Sequence, residues 1–453
     1  MRARRGCAAS DPSTTPDALS ACLPAGATGL LVALSGGADS CALLAAAALL
    51  REQRPDLGLR AVHIDHGLQP AAASFRETCA AACERLRVPL TVVAVAVSLP
   101  SGSSLEEAAR EARYAALQAQ LAPRECLLTA HHAQDQAETL LLQALRGAGP
   151  KGLSAMPACR EFGAGWHVRP FLDVPRQQLL AFGANHAVHH REDPMNQDLR
   201  FDRSYLRQRV WPSIEQRWPG ADMALSRAAR HAAQAQELLD DTASLDLERL
   251  RDGEALSVPG LRGLSSLRRF NAVRCWLHES GAQPPSTARL NEAMRQVLDA
   301  QADHMPAIPW GGYALRRYRQ RLFLTAADSA RLQGTLAWQV GCDTPLELGS
   351  GLGALAWTPQ KGGIDLKFKG LALEVRGRGG GETLKIAAGA KTHSVQHLCQ
   401  DLGVLPWMRA ALPLLFAGND LIVVADLWLE TRWCAAAGAP GFAPAWIGAP
   451  III

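Results

Sequence analysis

From Gly29 onward, short apolar runs alternate with stretches of helical periodicity. Leu30 to Leu34, Leu59 to Ile64, Leu90 to Val97 and Cys126 to Thr129 read as strands. Between them, Cys41 to Leu50, Phe75 to Arg87 and Ser104 to Gln120 read as helices, and Asp135 to Leu145 follows the last strand. Near-continuous apolar strands in such alternation predict an α/β fold, with a parallel sheet covered by helices on both faces. Residues 1–28, rich in Ala, Ser, Thr and Pro, predict a loose leader. The pattern changes near Arg217: Ala221 to Leu250, Ser266 to Glu279 and Thr287 to Asp299 are helical, and Tyr313 to Leu324 is a strand or hairpin. A weakly patterned stretch from Ala330 to Pro345 reads as a linker. A small α+β unit follows to about Pro440, with a hairpin through Gly418-Asn-Asp420. The expected organisation is a leader (1–28), an α/β domain (29–216), a mainly helical domain (217–330) and a small α+β domain (346–440).

Composition narrows the class without naming a function. Hydrophobic residues make up 48% and charged residues 20%, ordinary for a folded globular chain. The longest apolar run, Cys41 to Leu50, is too short to span a membrane, which takes about 20 residues. The N-terminus has basic residues but no apolar run of the signal-peptide kind. Eleven dispersed cysteines, none in a CxxC pair, point to reduced thiols in a cytoplasm. A net charge of +4 is too small to argue for nucleic acid.

The most informative stretch is Ser35-Gly-Gly-Ala-Asp39-Ser40, where a strand turns into a helix. Two glycines let the backbone approach an anion, the helix N-terminus points amides at it, and Ser35 and Ser40 add hydroxyl donors. Asp39 repels phosphate unless a cation lies between them. A Walker A loop would carry a lysine here, and this loop has none. The arrangement suits Mg²⁺-bridged pyrophosphate. A plain glycine turn accounts for the glycines but not for Asp39 between serines. The stretch resembles the loop of the PP-loop ATP pyrophosphatases, of the adenine nucleotide alpha hydrolase type. The resemblance implies a doubly wound parallel sheet and cleavage of ATP between its α and β phosphates.

Later motifs choose within that superfamily. Val62-His63-Ile-Asp-His66-Gly67-Leu68 ends the second strand; Glu107, Arg110, Arg113 and Tyr114 share the next helix. His131-His132-Ala-Gln134-Asp135-Gln-Ala-Glu138 follows, then Arg169-Pro, Glu192-Asp193-Pro-Met-Asn196 and Asp202-Arg203 through Arg207. In that order, with Pro406-Trp-Met-Arg409 near the end, they resemble the bacterial tRNA-isoleucine lysidine synthetases in their long form. One departure stands out: the family usually has two consecutive acids where this chain has Gln134-Asp135.

The resemblance implies that ATP and free L-lysine are used to convert the wobble cytidine of an isoleucine tRNA to lysidine through an adenylated intermediate. It implies ATP binding by Ser35, Gly36, Gly37, Ala38, Asp39, Ser40 and His63, with Asp39 on Mg²⁺. Arg113 would offset charge at the α-phosphate. Asp135 and Glu138, spaced i, i+3, can face one site, where they could bind lysine's ammonium groups, assist its deprotonation or help hold Mg²⁺. The alternatives are a tRNA 2-thiolase of the same superfamily, or a tRNA-binding protein without activity.

Other residues carry weaker signals. His131 and His132 are adjacent at a strand end, so at most one is expected in the site. Cys79 and Cys83 read as core. Between Arg191 and Arg230, eight arginines stand against six acids. Arg203 and Arg207, at i, i+4, read as a phosphate-facing, tRNA-binding pair. Arg316, Arg317, Arg319 and Arg321 read as an exposed face guarding a sheet edge, and Lys367, Lys369 and Lys391 make the last domain locally basic.

Overall fold

The computed structural model describes residues 15–65, 72–96, 105–186, 189–191, 198–301, 305–328, 331–349, 351–389 and 391–449. His66, Gly67, Leu68, Glu192, Asp193 and Asn196, and the side chain of Glu107, lie outside the described residues. The chain divides into two compact units, Met1–Leu239 and Asp240–Ile453.

The first unit is built on a six-stranded sheet in the order β3-β2-β1-β4-β6-β5. Its strands are β1 (Gly29–Ala33), β2 (Gly58–Asp65), β3 (Leu90–Ala94), β4 (Glu125–Leu128), β5 (Cys159–Phe162) and β6 (Gly165–Val168). All neighbours run parallel except β5 against β6. Leu30, Leu31 and Val32 are fully buried because both faces of β1 are covered. Leu30, Val32, Cys126 and Leu128 pack on one side; Leu31, Val62 and Leu127 pack on the other with Leu117 and Leu121. That alternation is the doubly wound fold expected from the apolar runs. β3 is the exception: it forms an edge, ends at Ala94, and leaves Val92 43% exposed.

The leader is not loose over its second half. α1 (Thr15–Cys22) packs against α2 (Ala38–Gln53), with Leu19 fully buried, so the amphipathic TPDALSAC segment gains a helix from tertiary burial. The remaining helices are α3 (Ala72–Arg85), α4 (Leu105–Gln120), α5 (Ala133–Leu145), α6 (Pro150–Leu153), α7 (Arg176–Asn185), α8 (Asp202–Tyr205), α9 (Trp211–Arg217) and α10 (Ala221–Leu250). A π-helical turn, Leu206–Val210, joins α8 to α9.

The second unit holds more strand than the pattern predicts. Helices α11 (Val258–Gly263), α12 (Ser266–Glu279) and α13 (Thr287–Asp299) share a core with Leu315 and Leu322, which lie in a five-stranded antiparallel sheet. The supposed linker contains a strand, Thr335–Gln339, whose Trp338 is buried; alternation there is too short to show in sequence. Gly441–Ile447 pairs along Ala354–Asp365 to complete another sheet. The arginine-rich stretch is not an exposed edge. Tyr313–Tyr318 lies between two neighbouring strands, and buried Arg317 donates to the Val297 and Ala300 carbonyls at the end of α13.

Candidate active site

In this topology the strand order reverses between β1 and β4, and the loops leaving their C-terminal ends flank a crevice. The loop after β1 is the serine–glycine turn. Gly36 has φ of +84°, and a Cβ there would meet Phe75 Cδ1 at 3.1 Å and Cys79 Sγ at 3.3 Å, so only glycine fits without displacement. The hydroxyls of Ser35 and Ser40 lie 3.0 Å apart; Ser40 Oγ accepts from the Ser35 amide and donates to the Gly37 carbonyl. Gly37 caps α2 with no side-chain hydrogen bond, leaving the amides that open this 16-residue helix directed at the crevice. His63 is buried behind the turn, its Nδ1 2.9 Å from the Leu34 carbonyl, so it shapes the loop. Cys79 and Cys83 are core, as expected, and burial pushes the Cys79 thiol up to about 12.

Asp39 lies in the first turn of α2. Its Oδ1 is buried and has no hydrogen-bond partner. The nearest basic side chains, Arg176 with Nε 3.7 Å from Oδ1 and His132 with Nε2 3.9 Å from Oδ2, stand beyond hydrogen-bond reach.

The loop after β4 supplies the second wall. β4 stops at Leu128, so the strand-alternation argument for His131 and His132 does not apply to their placement. His132 caps α5: its Nδ1 accepts from the Asp135 amide and its own amide donates to Asp135 Oδ2, closing a capping box. Its Nε2 stands 3.4 Å from Asp135 Oδ2, so one buried ring lies between the phosphate-loop acid and the α5 acid.

Asp135 and Glu138 face the same way, as their spacing predicts, and they are already occupied. Arg203 donates to Asp135 Oδ1 (3.0 Å) and Glu138 Oε2 (3.1 Å); Arg207 donates to Asp135 Oδ1 (2.7 Å) and to both oxygens of Glu138 (2.7 Å each). Gln134 adds a bond to Glu138 Oε1 at 3.1 Å. Burial works to raise the Asp135 pKa, but His132, Arg203 and Arg207 prevail and hold it well below the usual carboxylate range. Burial likewise opposes charge on Arg207, and its bonds to Glu138 and Asp135 push its pKa up. The expected phosphate-facing arginines are thus held by carboxylates; Arg207 sits in the π-helical turn, a widened backbone common at functional sites.

Arg113 is exposed on α4 and lies over the Tyr114 ring at 5.5 Å, with Arg110 at 5.1 Å. Sequence reasoning missed His167 and Arg176, which carry no motif of their own, and gave no role to Thr129, which opens the His131-His132 stretch, or to Arg169. Among the described residues no group of three or more His, Cys, Asp and Glu could hold a metal ion, and no helix is long and apolar enough to cross a membrane.

Comparison with known proteins agrees with this arrangement along the chain. A PP-loop domain family matches residues 14–214, a TilS substrate binding domain 256–323, and a TilS substrate C-terminal domain 373–446. The tRNA(Ile)-lysidine synthase of Alkalilimnicola ehrlichii is 41% identical over 91% of this chain and 92% of its own length. That of Coxiella burnetii is 40% identical over 87% of each chain, and that of Salmonella typhimurium is 37% identical over 92% of this chain and 96% of its own. With a phosphate loop and an acidic pair on one crevice, and such identity over nine-tenths of its length, the chain belongs to the tRNA(Ile)-lysidine synthase family.

Proposed function

We propose that this chain joins free L-lysine to C2 of the wobble cytidine of an isoleucine tRNA with a CAU anticodon, consuming ATP and releasing pyrophosphate and AMP. The observation that carries the reading is the phosphate loop set beside a buried acidic pair, with His132 between them, in a chain of this family. A 2-thiolase would draw on cysteine chemistry, and the thiols beside the loop, Cys41 and Cys79, are held in their neutral form by burial.

The amides of Ala38 to Ser40 and the two serine hydroxyls would cradle the β,γ-phosphates. Asp39, with its unpartnered Oδ1, fits a hard cation that takes one or two carboxylates and completes its shell with phosphate and water. Mg²⁺ held there would neutralise the departing pyrophosphate. Arg113 would offset charge at the α-phosphate while the cytidine oxygen becomes adenylated. An unpaired anticodon base costs little to turn out of its loop into such a crevice.

Lysine's ammonium groups would then be held by Asp135 and Glu138. Those carboxylates hold Arg203 and Arg207 in the structure, so the amine must take over bonds that the guanidinium groups now make. A released guanidinium becomes available to tRNA phosphates, which is the role expected of this pair from sequence. Exposed basic residues of the second unit, among them Lys361, Lys369 and Lys391, would contact phosphates and fix register without reading sequence. Such work belongs in a cytoplasm, as the reduced cysteines suggest. Tandem mass spectrometry of isoleucine tRNA after incubation with ATP, Mg²⁺ and lysine tests the reading. Lysidine at the wobble position is expected, and an unmodified cytidine would overturn it.

A further inference from the structure

Behind the crevice, a line of buried polar groups runs from Arg169, just past β6, through His167 and Thr129 to His131. Arg169 and His167 are 4% and 0% exposed, and Thr129 is 9% exposed. Among the described residues no carboxylate lies within ion-pair distance of Arg169, and its Nε has no hydrogen-bond partner. A buried guanidinium without a counter-ion is costly. It bonds to the Pro157 carbonyl (2.8 Å) and His167 Nδ1 (3.1 Å), with the Tyr114 side chain as a further partner.

We infer that Arg169, His167 and Thr129 are positioning residues that fix His131 as a neutral imidazole protonated on Nε2, so that it meets the substrate as a hydrogen-bond donor to oxygen and not as a base. The inference deepens the proposed function and rests on it for the identity of the substrate. Each direction in the chain follows from the one before. A guanidinium only donates, so His167 Nδ1 accepts and the His167 proton is on Nε2. That nitrogen is 2.8 Å from Thr129 Oγ1, which therefore accepts. The Thr129 hydrogen has one remaining acceptor among the described residues, His131 Nδ1 at 2.9 Å. Were His131 protonated on Nδ1 instead, the Thr129 oxygen would receive two donors and its own hydrogen would be buried unpaired. His131 thus carries its proton on Nε2.

The charges around the ring agree. Burial lowers the His131 pKa, Asp135 opposes that, and Arg169, Arg203 and Arg113 add to it, leaving it at about 3. Burial and Arg169 bring His167 down to about 2. Both rings are therefore neutral near pH 7. A neutral ring that already carries its proton on Nε2 cannot accept a proton there from lysine's ammonium group. It can donate to an oxygen of the α-phosphate or of the cytidine carbonyl, in the same field as Arg113 and Arg203. The proton stays on Nε2 throughout.

The test compares full-length wild type with Thr129→Val, which is close in shape but has no hydroxyl, and Thr129→Ser, which restores one. Nitrogen NMR of ¹⁵N-histidine-labelled protein, with His131 assigned by the signal missing from His131→Asn, reads the tautomer directly. In wild type and Thr129→Ser, Nδ1 should be unprotonated and Nε2 protonated, with no titration between about pH 5 and 8; Thr129→Val should mix the tautomers. Pyrophosphate release from ATP and isoleucine tRNA without lysine should slow about tenfold or more in Thr129→Val, while KM for ATP moves less than about twofold and Thr129→Ser stays near wild type. A wild-type His131 protonated on Nδ1, or titrating near neutrality, overturns the inference; so does a folded Thr129→Val with wild-type release. Wild type that releases no pyrophosphate would sink the proposed function instead, and the tautomer measurement would still decide the chain of bonds.

Discussion

Asp39 and Glu138 are acids on opposite walls of one crevice, and their surroundings could hardly differ more. Asp39 keeps a buried oxygen with no hydrogen-bond partner, with Arg176 and His132 standing 3.7 and 3.9 Å from its carboxylate. Glu138, fully buried, accepts from Arg203, Arg207 and Gln134. An oxygen left open by the fold would suit a cation that arrives with the substrate. A carboxylate saturated by the protein's own guanidinium groups can serve an amine only by exchange. In the proposed reaction the first corner would serve capture and the second displacement, so that identical chemical groups would acquire different roles from what the fold packs beside them.

The contrast breaks most sharply at Asp39. Asp39→Asn should lower ATP–pyrophosphate chemistry about a thousandfold, because the lost charge acts on the transition state. Circular dichroism should find the fold intact, since no hydrogen bond to Oδ1 is lost. Near-normal turnover would remove Asp39 from the mechanism. At the other corner, Glu138→Gln should act on stability as well as activity. It leaves two guanidinium groups short of a counter-ion, at a cost of about 3 kcal/mol in urea unfolding, and should raise KM for lysine more than KM for ATP. Wild-type lysine dependence in both Glu138→Gln and Asp135→Asn would show that neither acid holds the amine.

Acid sharpens the same comparison. The folded pKa of Asp135 is depressed, so its contribution to stability is fully present above the unfolded value of about 4 and is lost as pH falls below it. Wild type should therefore lose more stability than Asp135→Asn between about pH 5 and 3 in matched denaturation curves. Equal losses would mean that the arginines do not hold Asp135 ionised. The smallest effect belongs to the second unit. Replacing Lys361, Lys367 and Lys369 with Gln should weaken tRNA binding and flatten its log–log salt dependence, by about 0.9 for each duplex phosphate that no lysine neutralises any longer. Single charges are the right probe, because Ala255 and Phe323 share one core with Trp338 and Leu415, and deleting the C-terminal stretch would expose it. An unchanged slope would make these lysines a solvated face.

The family and its chemistry are legible in the order of residues alone, for a physical reason. A phosphate-binding turn needs glycine at a positive φ and small hydroxyls in a row, so its demands are local and printed in consecutive residues such as Ser35 to Ser40. Apolar strands buried on both faces, such as Leu30 to Val32, are equally local, and so the doubly wound sheet can be read directly. Asp135 and Glu138 can be paired from helical spacing alone. Short strands such as Thr335–Gln339, and the helix at Thr15–Cys22, escape notice because burial against distant segments stabilises them.

What only tertiary structure decided is who stands next to whom. The sequence places Arg203 and Arg207 on one face but cannot say that the face looks onto Asp135 and Glu138 and not onto phosphate. Nor can it place His132 between two acids, or line up Arg169, His167, Thr129 and His131. Residue type and spacing determine which groups are available, because those follow from the chain's local geometry. Partners, open valences and proton positions depend on contacts between segments far apart in the chain, and those exist only once the sheet has closed its crevice.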